Sequence, residues 1–264
     1  MADSKPVALV TGASSGIGAT FARRLARDGY TLILVARRRD RLQAMAEELG
    51  GADVLTADLI QDDGLRAVEE RIAAEPKLEM VVNNAGFGTM GTFFKSDLEP
   101  QQQMHKLHVM ATMQLSHAAL RAMVPRGKGA LINVSSVAGF GTAPGSVSYS
   151  ATKAWMNTFT EGLDLELKIL NSPVKVQALC PGFTITEFHE TAQVDRKTIP
   201  DWLWMKAEEV VDASLEGLAK GELFVVPGTI YKLLVKLEGV LPRGARAAMA
   251  IRYAKKARRH VAVD

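Results

Sequence analysis

A chain of 264 residues with 47% hydrophobic and 23% charged residues holds enough apolar material for one large α/β domain, which would bury roughly 70–75% of its unfolded surface. No apolar run approaches the roughly 20 residues of a membrane-spanning helix, and the opening Met-Ala-Asp-Ser-Lys-Pro has no apolar signal core; a cytoplasmic location is expected. The net charge of +3 is unevenly spread: residues 228–264 hold nine Lys or Arg against two Asp or Glu, but the remainder is slightly acidic and carries no nucleic-acid motif, so no nucleic-acid partner is expected.

In chain order, β-rich apolar runs alternate with helical patterns, the signature of a parallel sheet covered on both faces. The first strand is Pro6 to Thr11, followed by a glycine turn and a helix to about Asp28. Thr31 to Ala36 is the second strand, with a helix over Arg41 to Leu49. Ala52 to Ala57 is the third strand, ending at Asp58; a helix around Gly64 to Ala74 leads to the fourth, Glu79 to Asn83. A long helical stretch over Glu99 to Val124 precedes the fifth strand, Ala130 to Ser135. A helix bearing Tyr149 runs to about Leu170, then come strands at Val174 to Cys180 and Leu223 to Val226. The expectation is a doubly wound, Rossmann-type parallel sheet of about seven strands, without repeats or an interdomain linker. Cys180, the only cysteine, precludes an internal disulfide and reads as a small buried apolar residue. Asn133-Val134-Ser135 matches a glycosylation acceptor, but lies on a strand expected to be buried.

The first turn reads Thr11-Gly12-Ala13-Ser14-Ser15-Gly16-Ile17-Gly18. Its glycines permit a tight turn and close approach of backbone to a pyrophosphate, and the helix behind it offers unpaired N–H groups to an anion. Gly12 to Gly16 also matches a G-x-S-x-G nucleophile elbow, but the eleven preceding residues leave room for only one strand, too little for that fold's oxyanion loop. About 20 residues after the turn, where an NAD site places an acidic residue, stand Ala36, Arg37, Arg38 and Arg39. Arginines there suit the 2′-phosphate of NADP(H), which is therefore favoured over NAD(H).

Tyr149 and Lys153 lie four positions apart, on one face of a helix. A neighbouring ammonium favours the phenolate and is expected to lower a phenol's pKa from about 10 by roughly 1–3 units. Ser136 can hold a substrate oxygen beside that phenol. The trio suits carbonyl–alcohol exchange if another group carries the hydride. No metal ligand set is expected.

The chain resembles the short-chain dehydrogenase/reductases, in their compact single-domain branch, over about Val7 to Val226. The resemblance rests on TGASSGIG at 11–18, Asp58 after the third strand, NNAG at 83–86, NVSS at 133–136, YSATK at 149–153 and PGFTIT at 181–186. Ser136 stands thirteen residues before Tyr149, the family's separation, and Ser135 should face the other side of its strand. The resemblance implies catalysis by Ser136, Tyr149 and Lys153. It implies a cofactor site drawn from Gly12, Ser14, Ser15, Gly16, Ile17, Gly18, Arg37, Arg38, Asp58, Leu59, Asn84, Gly86, Tyr149, Lys153, Pro181, Gly182, Thr184 and Thr186. Tyr149 would protonate the carbonyl oxygen as NADPH delivers hydride to the carbon. One departure is His108, where the family often has an asparagine tied through water to the lysine; an imidazole could replace it as a proton relay.

Residues 187–206 occupy the family's lid position and contain Phe188, Trp202, Trp204 and Met205, which either cover an apolar ketone, aldehyde or 3-oxoacyl substrate or pack against the protein itself. Residues 228–264 form a basic helical extension. Its Ile230, Leu233, Leu234, Leu237 and Leu241 recur at helical spacing and suit core packing or contact in a homodimer or homotetramer. The basic end leaves peripheral contact with an anionic membrane surface open. The alternative to an enzyme is a catalytically weak NADP-binding regulator.

Overall fold

Seven strands pair side by side, all parallel, in the order β3-β2-β1-β4-β5-β6-β7. They are β1 (Val7–Thr11), β2 (Thr31–Ala36), β3 (Asp53–Thr56), β4 (Leu78–Asn83), β5 (Ala130–Val134), β6 (Lys175–Leu179) and β7 (Phe224–Val225). The structure is a computed structural model that describes residues 5–188 and 199–258. Every residue of β1 and β5 is buried, as parallel strands covered on both faces require. The helices are α1 (Gly16–Arg27), α2 (Arg39–Glu48), α3 (Asp62–Ala73), α4 (Leu98–His105), α5 (Thr112–Met123), α6 (Val147–Ile169), α7 (Ala207–Lys220), α8 (Thr229–Val240) and α9 (Arg243–Arg258).

Alternate strand residues feed two apolar layers. Ala8 and Val10 join Phe21 and Leu25 of α1 and Val210 of α7 on one face. Val7 and Leu9 join Val68 and Ile72 of α3 and Leu115 of α5 on the other. The expected doubly wound sheet of about seven strands is thus present. The order reverses between β1 and β4, so the segments leaving these strands diverge and open a crevice at their carboxyl ends.

Two features depart from the sequence reading. The long helix is interrupted: a π-helical stretch, Lys106–Ala111, separates α4 from α5 and carries buried His108. In α8, of the two expected uses of the leucines, core packing is the one not met. Leu233 is 67% exposed and Leu234 49%, and Ile230 and Leu237 are exposed as well. The helix is held instead by buried Tyr231, whose hydroxyl accepts the Phe183 N–H at 3.0 Å and donates to the Leu203 carbonyl at 2.7 Å. No helix among the described residues is long and apolar enough to cross a membrane.

Candidate active site

The glycine turn runs from the end of β1 into the N-terminus of α1. Gly12 sits at φ +66°, a conformation that disfavours side chains. A Cβ on Gly18 would lie 2.4 Å from both the Gly12 carbonyl oxygen and Asn84 Nδ2, so only glycine lets the helix approach the turn this closely. Asn84 is used in the same junction: its Nδ2 donates to the Thr11 carbonyl at 2.9 Å, and its backbone N–H donates to Thr11 Oγ1 at 2.9 Å. The first turn of α1 contains no acidic residue and Ser15 at its N-cap makes no side-chain cap. Hydroxyls, open N–H groups and a positive helix end suit an anion, so the residues present fit a dinucleotide pyrophosphate. Ile17 packs against the core beneath.

Arg38 reaches across from β2 and donates to Ser14 Oγ from Nε at 3.2 Å and to Ser15 Oγ from Nη2 at 2.9 Å. Its Nη1 donates to Glu187 at 3.0 Å, and Arg41 donates to the other oxygen of that carboxylate at 2.6 Å. The two guanidinium groups, Arg41 first, hold Glu187 below the usual carboxylate range. Arg37 is exposed and, among the described residues, adds no hydrogen bond to the turn. Arg41 and Glu187 carry no local signal of this role, because each has its partner 146 residues away along the chain. Asp58 Oδ1 accepts the Ile60 N–H at 3.1 Å, while the Leu59 side chain is buried in the core.

Ser136, Tyr149 and Lys153 converge at the carboxyl end of β5. Ser136 follows that strand; its hydroxyl accepts the Ala138 N–H at 3.1 Å and donates to the Pro181 carbonyl at 3.4 Å. Ser135 faces away, donating to the Lys153 carbonyl at 3.1 Å. Buried Lys153 donates from Nζ to the Val134 carbonyl at 2.8 Å, and the ammonium stands 5.7 Å from the Tyr149 ring centroid. The expected acidified phenol is not found. Tyr149 is half-buried as a residue, but its hydroxyl end lies deep; desolvation pushes the phenol up to about 12, with the Ser136 hydroxyl pulling weakly the other way. Burial also pushes Lys153 down to about 8, and its ammonium is engaged with a carbonyl. Desolvation therefore sets the phenol's direction. Cys180, buried alongside, is pushed up to about 12 by burial and is a poor nucleophile near neutral pH.

His108 is fully buried, and Gly86 makes room for it: a Cβ there would lie 2.7 Å from Nε2. The Phe87 N–H donates to Nε2 at 3.3 Å, so Nδ1 carries the hydrogen and donates to Thr152 Oγ1 at 3.0 Å. Thr152 in turn donates to the Tyr149 carbonyl at 2.9 Å. Burial first, then the charges of Lys153 and His105, hold His108 well below its ordinary value of 6.5. Both imidazole nitrogens are engaged, and through Thr152 the ring braces the backbone behind Tyr149.

On the open side of the phenol, the Tyr149 and Phe188 rings stand 5.9 Å apart, and Tyr149 meets His108 edge-on at 5.9 Å. Pro181 is buried under Ser136, and Gly182 leaves space for the Tyr231 ring. Thr184 is buried and bridges to Met205; Thr186 lies against Gly16. Much of the expected lid, 189–198, lies outside the described residues. Of its remaining aromatics, Trp202 is exposed whereas Trp204 packs on Phe183 at 5.5 Å.

The family described as short chain dehydrogenase matches residues 6–197, well over half of the chain. The chain belongs to the short-chain dehydrogenase family. A curated relative, 3-oxoacyl-[acyl-carrier-protein] reductase FabG of Aquifex aeolicus, is 31% identical over 242 residues, covering 85% of this chain and 97% of the relative. A short-chain dehydrogenase from Sphingobium yanoikuyae, solved in complex with NADPH, superposes with a TM-score of 0.80 at 37% identity, covering 90% of this chain and 97% of that one. The bulky-bulky ketone specific alcohol dehydrogenase from Comamonas testosteroni gives 0.76 at 33% identity, covering 90% and 95%. As a short-chain dehydrogenase, this chain is an oxidoreductase acting on CH–OH donors.

Proposed function

We propose that this dehydrogenase interconverts an apolar ketone, aldehyde or 3-oxoacyl group and its alcohol, with NADP(H) preferred. The observation that carries the reading is the convergence of the Tyr149 phenol, the Ser136 hydroxyl and the Lys153 ammonium beside the crevice at the sheet's carboxyl end. A bound nicotinamide supplies or accepts the hydride. Tyr149, neutral near pH 7 and holding its proton more firmly through burial, donates that proton to the carbonyl oxygen during reduction. Ser136 exchanges its bond to the Pro181 carbonyl for one to the substrate oxygen. Lys153, cationic below about pH 8, stabilises the phenolate left behind. The aromatic face of Phe188 beside Tyr149 favours an apolar substituent on the reacting carbon. Arg38, held at the Ser14 and Ser15 hydroxyls, supports a site for a 2′-phosphate.

The test is cofactor oxidation over a panel of apolar ketones, aldehydes and a 3-oxoacyl thioester, with NADPH and NADH compared. Turnover with NADPH exceeding that with NADH, abolished in Tyr149→Phe, is expected. Tight NADPH binding without turnover on any member would favour a regulatory nucleotide-binding protein instead.

A further inference from the structure

The Arg38–Glu187–Arg41 bridge joins parts of the chain that have no local reason to meet. Arg38 and Arg41 belong to the start of α2, whereas Glu187 directly follows the segment whose Thr186 lies against Gly16. One carboxylate oxygen takes Arg38 at 3.0 Å and the other takes Arg41 at 2.6 Å. Arg38 spends its other nitrogens on the Ser14 and Ser15 hydroxyls, so two guanidinium groups, one of them anchored to the glycine turn, hold a single anionic group. Ser14, Ser15, Gly16, Thr186 and Glu187 line a cavity of about 390 Å³ beside the glycine turn. Glu187 thus sits at the rim of the crevice with an oxygen pair presented to the arginines, as a phosphate monoester would present its own.

We propose that Glu187 is an internal competitor for the cofactor's 2′-phosphate, closing an Arg38–Arg41 clamp that a phosphate reopens and occupies. This rests on the NADP(H) reading above. The carboxylate carries one negative charge and a phosphate monoester close to two, so the same pair of arginines holds the phosphate more strongly. Carboxylate and phosphate cannot share the clamp without like-charge repulsion. Both partners are about two-fifths exposed, which makes the bridge weak enough to be exchanged. Arg41 then becomes a second specificity-determining residue for the phosphorylated cofactor, and Glu187 a residue that lowers affinity for it.

Calorimetric titration of the full chain with 2′,5′-ADP and with 5′-AMP tests this without any turnover. The wild type is expected to bind 2′,5′-ADP more tightly than 5′-AMP. Glu187→Gln keeps the shape but removes the charge; it should tighten 2′,5′-ADP by roughly three- to ten-fold, the worth of one or two exposed ion pairs, and leave 5′-AMP unchanged. Arg41→Gln should weaken 2′,5′-ADP and spare 5′-AMP. If the wild type prefers 2′,5′-ADP but Glu187→Gln binds it no better, Glu187 is not a competitor. Unaltered 2′,5′-ADP binding in Arg41→Gln removes Arg41 from the clamp. A wild type indifferent to the 2′-phosphate overturns the NADP(H) preference, and the competition with it.

Discussion

At the residue scale the tension lies in Tyr149. A proton donor must hold its proton until the substrate oxygen needs it, and then release it. Burial does the first, raising the phenol to about 12; Lys153, 5.7 Å from the ring centroid, is the cation available for the second. Removing the phenolic hydroxyl should therefore cost turnover and little else. Tyr149→Phe is expected to lower kcat by about 100-fold or more while 2′,5′-ADP affinity stays within about two-fold. Wild-type kcat in that variant would remove Tyr149 from the chemistry. His108 yields a different kind of prediction. It stays neutral in the fold while the unfolded chain protonates near its ordinary value of 6.5, so the unfolded state binds more protons below that pH. Stability is accordingly lost as pH falls below about 6.5. In His108→Asn this part of the acid loss should vanish, seen as a smaller drop in Tm between pH 7.5 and 5.5 than in the wild type. Equal drops would mean that other groups govern the acid limb.

At the element scale, the strands were legible to within one or two residues, because parallel strands buried on both faces leave uninterrupted apolar runs such as Leu32 to Val35. The glycine turn was legible because its residues are dictated by backbone geometry at Gly12 and Gly18. The π-helical stretch was not. Lys106-Leu107-His108-Val109-Met110-Ala111 continues a helical pattern, and what marks the place is burial of His108 against Gly86 and Thr152, a tertiary effect. The Arg38–Glu187–Arg41 bridge was hidden for the same reason. The anchoring of α8 by Tyr231 was hidden too, since the helical spacing drew attention to leucines that proved exposed. That anchor is testable. Tyr231→Phe keeps the ring over Gly182 but leaves the Phe183 N–H and the Leu203 carbonyl without their partner. A loss of about 1–3 kcal/mol is expected in denaturant unfolding. A variant as stable as the wild type would show that water replaces the hydroxyl at no cost.

For the molecule as a whole, the site's electrostatics are coupled to the folding of the entire sheet. Lys153 and Cys180 are enclosed where β5, α6 and β6 meet, with the Tyr149 hydroxyl beside them, so the solvent they lack is recovered on unfolding. Lys153 ionises in the fold at about 8 and has an ordinary value of 10.5. Between these values the unfolded chain binds more protons, and this group makes stability rise with pH. Cys180 and Tyr149 act with the opposite sign: each is pushed up to about 12, from ordinary values of 9.0 and 10.0, so the fold holds their protons after the unfolded chain has lost them. Their contribution makes stability fall as pH rises above about 9. The three together leave a narrow window, pH 8 to 9, in which Lys153 acts nearly alone. Lys153→Met should abolish its upward contribution there, so that Tm plotted against pH has a less positive slope in the variant than in the wild type. Above pH 10.5 the lysine contribution is complete and both proteins should lose stability in parallel as the thiol and phenol take over. Parallel curves between pH 8 and 9 would mean that Lys153 keeps its proton in the fold as readily as in the open chain, and that its bond to the Val134 carbonyl compensates fully for burial.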